Sequence, residues 1–351
     1  MILFNASVTG LDEYTVEQEG SALKLNQNES PFDVPLPVKK EIARRLILTP
    51  WHRYPPGKSG ELCQAIRRYT GHPEAGILAG NSSNEMIQTI FLAVCRPRDR
   101  VVTVSPGFAV FSRMARILDL DLVSVPLRED FSFDVPALLD AASSARLVIL
   151  ATPNNPTGTS IAPDVIEQLS KATSGLLAID EAYFEFSGET ALPFVSRSPN
   201  LVVIRTFSKA FSLAALRAGY ILGDPDTIRE LSKAKMPFSL GILQQIAASS
   251  LLARTDLISM QAGRIRRWRD QLFDTLRRLP GVRPIPSLAN FILFSASGRP
   301  AREVFQALRD QGVLVRVFND SRLDSWLRVT VGTPKENRAF TAALRSVIRE
   351  G

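Results

Sequence analysis

Seven short apolar runs constrain this chain more than any other feature: GILAG (76–80), VVTVS (101–105), LVSVPL (122–127), LVILATP (147–153), LLAIDEA (176–182), LVVIRTF (201–207) and GYILG (219–223). Their apolar character is continuous rather than alternating, as in strands covered on both faces. Helix-like segments such as NEMIQTIFLAV (84–94) separate some of them. The expected core is therefore an α/β large domain, with a mostly parallel seven-stranded sheet between helices. After residue 240 the texture changes to a long helical region (242–278), NFILF (290–294), a helix near 301–310, VLVRVF (313–318), WLRVTV (326–331) and a terminal helix from about 335. That grouping predicts a smaller α+β domain. We expect residues 48–241 to form the large domain, and residues 1–47 with 242–351 the small domain and an N-terminal arm.

Composition narrows the function classes. With 45% hydrophobic and 22% charged residues, the 351-residue chain can bury a sizeable core. Runs such as IFLAVC (90–95) fall well short of the roughly 20 residues a membrane helix needs, and MILFNASVTGLDEY has no signal-peptide pattern. Two isolated cysteines, Cys63 and Cys95, and two histidines, His52 and His72, make neither a disulfide framework nor a metal cage. No metal is expected, and the cytoplasm is the default location. The net charge of +7 draws attention to RIRRWRDQLFDTLRR (264–278), but Ile265, Trp268, Leu272 and Leu276 recur there at helical spacing. We read it as a helix whose basic residues face water, with no nucleic-acid motif beside it. A positive balance also suits an enzyme of anionic substrates.

Functional groups in α/β sheets gather at the carboxyl ends of strands. Four such ends stand out. GILAG leads into Asn81, Ser82, Ser83 and Asn84; LVILA into TPNNPTG; LLAI into Asp180 with Tyr183 three residues on; and LVVIRTF into Ser208 and Lys209. Taken singly, the asparagines could be turn formers, Asp180 and the serines helix caps, and Lys209 a side chain snorkelling to water. Jointly they suit one ligand. A lysine in small, apolar company has a depressed pKa and can condense with an aldehyde. An aspartate can hold a pyridine nitrogen protonated, while helix N–H groups, hydroxyls and Arg217 take a phosphate. Pyridoxal 5′-phosphate has all of these features.

These residues carry a resemblance. PNNPTG (153–158), DEAYFEF (180–186) and RTFSKAFSLAALRAGY (205–220), in that order, are similar to the fold-type I pyridoxal-phosphate-dependent aminotransferases of class I/II. Within them, LKLNQNESP (23–31), HRYPPG (52–57), GNSSNE (80–85), SLANFIL (287–293) and LRVTVGTPKEN (327–337) look most like the histidinol-phosphate branch. The resemblance covers essentially the whole chain. It implies that Lys209 bonds the cofactor aldehyde and later moves a proton, Asp180 pairs the ring nitrogen, and Asn155 and Tyr183 bond the ring hydroxyl. Phe108 stacks on the ring, and Ser83, Asn84, Thr206, Ser208 and Arg217 bind the phosphate. Tyr54 reaches that phosphate from the other subunit of a homodimer. Arg328 clamps a substrate carboxylate, and Tyr14 and Arg316 contact the substrate phosphate. Asn28 and Glu29 match the N-terminal signature, and Asn28 joins the substrate set.

The implied partners are a small-molecule amino donor and a 2-oxo acid acceptor, with no membrane partner. The implied activity is amino transfer from histidinol phosphate in histidine biosynthesis. Aromatic amino acid transamination and threonine-phosphate decarboxylation are alternatives on the same scaffold. Two positions depart from the pattern. Gly107 stands where threonine is usual, which is expected to loosen the turn carrying Phe108, and Asn84 replaces a carboxylate. The GKS in PPGKSG (55–60) is no phosphate-binding P-loop, because the required earlier glycine is His52 and two prolines remove N–H donors. No GxSxG nucleophile elbow occurs, and too little chain precedes LNQNES for a DNA-binding domain.

Overall fold

The computed structural model describes residues 4–13, 23–57, 59–296 and 298–349, so Tyr14 lies outside the described residues. A two-residue strand, β1 (Leu23–Lys24), opens the second stretch. The seven apolar runs become β2 (Ile77–Gly80), β3 (Arg100–Ser105), β4 (Asp121–Pro126), β5 (Leu147–Ala151), β6 (Leu176–Asp180), β7 (Leu201–Thr206) and β8 (Gly219–Gly223). They form one sheet in the order β2-β8-β7-β6-β5-β3-β4, in which β8 alone runs against its neighbours.

Every residue of β5, β6, β7 and β8 is buried, which is why these segments are apolar without alternation. Successive residues serve opposite faces. Leu147 and Ile149 join one core with Met86, Ile90 and Phe91 of the helix Ser82–Val94, while Val148 and Leu150 join the other. At the sheet edge, β4 buries only Val125.

The chain then builds a second, antiparallel sheet from β9 (Val282–Pro284), β10 (Phe291–Ala296) and β12 (Trp326–Thr330), in the order β12-β10-β9. The remaining strand, β11 (Val313–Leu314), pairs in parallel with β1 and so brings the N-terminal segment against this part of the molecule. VLVRVF, read as one strand, pairs regularly only over β11. Beyond it a single bridge joins Arg316 to Arg328. The region 242–278 likewise divides into the helices Ile242–Leu252 and Thr255–Arg277. Between them Arg254 leaves helical geometry, and its guanidinium donates to the carbonyl of Ser250 at 2.6 Å. Not all basic residues of the second helix face water: Arg269 is buried and donates to the Ala289 carbonyl. No helix among the described residues is long and apolar enough to cross a membrane.

One close approach sets the geometry at the carboxyl edge of the large sheet. Gly219 pairs with Gly80 on β2 and with Thr206 on β7. A Cβ at Gly219 would lie 2.5 Å from the backbone nitrogen of Ser83 and 2.9 Å from the carbonyl oxygen of Arg205. Only glycine lets the start of the helix Ser82–Val94 sit directly on β8. Gly219→Ala is therefore expected to destabilise the protein by about 1–3 kcal/mol, read from denaturant midpoints at unchanged slope. An unshifted midpoint would show that the helix start is not pinned there.

Candidate active site

The parallel strands β5, β6 and β7 lie side by side, and polar residues stand at or just beyond their ends. Asp180 closes β6 in register with Ala151 of β5 and Ile204 of β7. Asn155 follows β5, Tyr183 follows β6, and Lys209 follows β7. One cluster of strand ends thus gathers a carboxylate, a phenol, an amide and an amine.

Lys209 is largely enclosed, and its ammonium donates to the backbone carbonyl of Gln27 at 2.9 Å. Burial and then the charge of Arg328 push its pKa down to about 7, with Arg217 adding and Glu29 and Asp180 opposing. Near neutrality much of the amine is unprotonated and nucleophilic. Asp180 is 4% exposed and accepts the Ala182 N–H at 3.0 Å. Burial raises its carboxyl to about 7 against that hydrogen bond, Glu181 raises it further, and Lys209 opposes.

The segment 26–28 crosses this cluster and satisfies it largely through its backbone. The carbonyl of Asn26 accepts from Arg328 at 2.8 Å, that of Gln27 from Lys209, and that of Asn28 from Asn290 at 3.1 Å. Asn28 Nδ2 donates to the Tyr183 hydroxyl oxygen at 2.9 Å, and its backbone N–H donates to Thr330 Oγ1. Arg328 also donates to Asn155 Oδ1 and lies over the rings of Phe291 and Phe318. Arg316 is joined to Arg328 by two reciprocal backbone hydrogen bonds of 2.9 Å.

At the other end the groups suit an anion. Arg217 adopts a left-handed backbone (φ 54°) and donates to Ser208 Oγ at 3.1 Å. The Ser208 N–H donates to Thr206 Oγ1 at 3.1 Å. Ser83 stands in the first turn of the helix Ser82–Val94, which Asn81 does not cap with its side chain, and the Gly219 contact brings that turn to β8. Helix-start N–H groups, a hydroxyl and a guanidinium make a donor set for a phosphate.

Phe108 packs edge-on against Phe111, on a turn held from below by Asn154, whose Nδ2 donates to the carbonyl of Pro106 at 3.0 Å. The expected loosening at Gly107 does not occur. A Cβ there would meet the Val104 carbonyl oxygen at 2.5 Å, so glycine permits a tight turn. Asn84 has an exposed side chain, and Tyr54 is 80% exposed, stacked on Phe238 at 4.6 Å.

Sequence reasoning missed the Asn26 and Gln27 carbonyls, whose acceptor role has no side-chain signature. It also missed Arg205 and Glu181, a buried pair at 2.9 Å beside Asp180, completed by Thr190 and by Phe184 under the guanidinium. A charged residue inside two otherwise apolar strand runs was the available signal.

The donor set fits a phosphorylated pyridine aldehyde. Phosphate donors lie at one end, a nucleophilic amine stands beside the ring hydroxyl's partners, and a buried carboxylate suits a protonated ring nitrogen. Without that ring, Asp180 costs the protein stability. Because its folded pKa is raised, the cost is absent below about pH 4, grows as pH rises towards 7, and is constant above. Asp180→Asn, which can still accept from Ala182, should leave the cofactor-free protein unchanged at pH 4 and stabilise it by up to about 4 kcal/mol at pH 8. Denaturant unfolding across that range checks this, and a pH-independent difference would contradict it.

A sequence model of aminotransferase class I and II matches residues 21–344. The histidinol-phosphate aminotransferase of Chlorobium chlorochromatii is 38% identical over 97% of this chain and 95% of its own length. Histidinol-phosphate aminotransferase 2 of Bordetella bronchiseptica is also 38% identical, over 98% and 95%. The crystal structure of histidinol-phosphate aminotransferase from Sinorhizobium meliloti, in complex with pyridoxal-5′-phosphate, superposes with a TM-score of 0.91 at 27% identity, over 99% of this chain and 98% of that one. By the family match and by these full-length relatives, the chain belongs to the class I and II aminotransferases.

Proposed function

We propose that the protein is a histidinol-phosphate aminotransferase. With pyridoxal 5′-phosphate it would transfer the amino group of L-histidinol phosphate to 2-oxoglutarate, giving imidazole acetol phosphate and L-glutamate in histidine biosynthesis. The observation that carries the substrate assignment is the backbone bridge between Arg316 and Arg328, which sets two guanidinium-bearing residues directly opposite one another. A donor with a phosphate alternating with an acceptor with two carboxylates needs such a pair. The names of the full-length relatives support the same reading.

The cofactor, when bound, supplies an aldehyde that condenses with amines and a ring that accepts the electron pair left at the substrate Cα. The chain's own residues do the rest. Lys209 Nζ would hold the cofactor aldehyde, and its amine, with a pKa near neutrality, would take the substrate Cα proton and pass it on. Asp180 would keep a proton on the ring nitrogen and Asn155 and Tyr183 would bond the ring hydroxyl, with Asn28 orienting the Tyr183 hydroxyl. Phe108 would cover the ring face and exclude water from it. Ser83, Asn84, Thr206, Ser208 and Arg217 would bind the phosphate. Arg328 clamps the glutamate carboxylate, and Arg316 with Tyr14 takes the donor's phosphate.

Residues 48–241 would be the cofactor-binding domain, and the remainder the smaller domain with the N-terminal arm. We propose a cytosolic homodimer. Ile47, Leu48, Trp51 and Tyr54 are 76, 75, 72 and 80% exposed, and Met236 and Phe238 extend the apolar surface beside Tyr54. Such a patch suits a second copy, to whose phosphate end Tyr54 would reach.

Titrating the purified protein with histidinol phosphate should convert an absorbance band near ~420 nm, a property of the bound cofactor, to the amine form. Glutamate should do the same, and Lys209→Ala should lack the band. Arg316→Ala should raise KM for histidinol phosphate by about 10–100-fold, with a much smaller effect on glutamate. If phenylalanine converts the cofactor far better than histidinol phosphate does, or if phosphothreonine releases CO2, the substrate assignment is wrong.

A further inference from the structure

One guanidinium outside the site spans the gap between the two sheets. Arg322 stands on the short turn Ser321–Leu323, midway along the connection from Arg316 to Arg328 (322 − 316 = 6; 328 − 322 = 6). Asp320 shapes the turn by accepting the Arg322 N–H at 2.9 Å, and Leu323 anchors it at 1% exposure. On either side, Arg302 donates to Asn319 Oδ1 at 2.6 Å and the Ala301 N–H to the Asp324 carbonyl at 2.8 Å, tying the connection to the helix Ala301–Asp310. From this fixed base the guanidinium reaches the large sheet. Nη1 donates to the carbonyl of Ser105 at 2.5 Å, and Nη2 to that of Leu127 at 2.6 Å.

Ser105 is the last residue of β3, and Leu127 follows β4. Ser105 also opens the turn to Phe108, whose next carbonyl, Pro106, is held by Asn154. One side chain therefore links the strand connection that carries Arg316 and Arg328 to the turn that carries Phe108. The trigonal fork of arginine satisfies both carbonyls at once, whereas a lysine ammonium in that place is a point charge without the fork. The edge-on contact of Trp326 with Phe131, at 5.0 Å, adds an apolar seam beside it.

We propose that Arg322 is a positioning residue. By holding Ser105 and Leu127 it sets the placement of Arg316 and Arg328 relative to the Phe108 turn, and so controls capture of the acidic substrates while leaving the proton transfer at Lys209 to the site itself. The inference rests on the aminotransferase reading for its effect on substrates, and on geometry alone for the link between the sheets.

The cofactor-loaded enzyme with Arg322→Ala and Arg322→Lys tests it. Hydrogen–deuterium exchange should rise in residues 105–131 and 316–328 of Arg322→Ala and stay unchanged in the helix Ser82–Val94. KM for both histidinol phosphate and 2-oxoglutarate should rise about tenfold or more, kcat should change little, and the cofactor absorbance should be unaltered. Arg322→Lys should recover part of the loss. Unchanged exchange in those segments overturns the link. Raised exchange with unchanged KM, or a loss confined to kcat or to cofactor binding, overturns the positioning role. A wild-type protein that performs no amino transfer would instead sink the functional reading, and the exchange difference would still decide the link.

Discussion

A lysine amine kept from water at the carboxyl edge of a parallel sheet is the constraint on which the rest of this structure depends. Burial and neighbouring arginines bring the Lys209 pKa to about 7. An amine in that condition serves as a nucleophile and a proton carrier, and it must be held by a neutral acceptor because a close carboxylate would restore its charge. The Gln27 carbonyl is such an acceptor. The N-terminal segment therefore belongs to the site, and its strand pairing with β11 and its contacts to Asn290, Thr330 and Arg328 are the means by which it is held there.

Charge alternates along the site. At one end stand Arg217, two hydroxyls and a helix start; in the middle stands a carboxylate that burial has made reluctant to ionise; and at the other end stands a pair of arginines. Asp180 raised to about 7 and Lys209 lowered to about 7 are two consequences of one dry environment. Each is unfavourable for the bare protein, and each is the state wanted by a ligand that brings a protonated ring nitrogen and an aldehyde.

Much of this was legible in the sequence because it is written in side chains with strong preferences. Continuous runs of Val, Ile and Leu marked all seven strands of the large sheet, and the polar residues after LVILA, LLAI and LVVIRTF marked the strand ends. Most of what escaped lay in the backbone. The carbonyls of Asn26 and Gln27, like those of Ser105 and Leu127 under Arg322, are acceptors that any residue could supply. The tightness at Gly107 depends on where Val104 comes to lie, which local sequence does not specify. Hydropathy could not tell that Arg254 interrupts a helix, nor that VLVRVF gives up regular pairing after two residues, because each outcome follows from tertiary partners.

The proposed activity depends on a single bond between Lys209 and the cofactor aldehyde. Borohydride treatment of the freshly purified, cofactor-loaded protein, followed by peptide mass mapping, tests it most directly. A phosphopyridoxyl mass is expected on the peptide carrying Lys209 and on no other lysine. An unmodified Lys209 in protein that still retains the cofactor would contradict it.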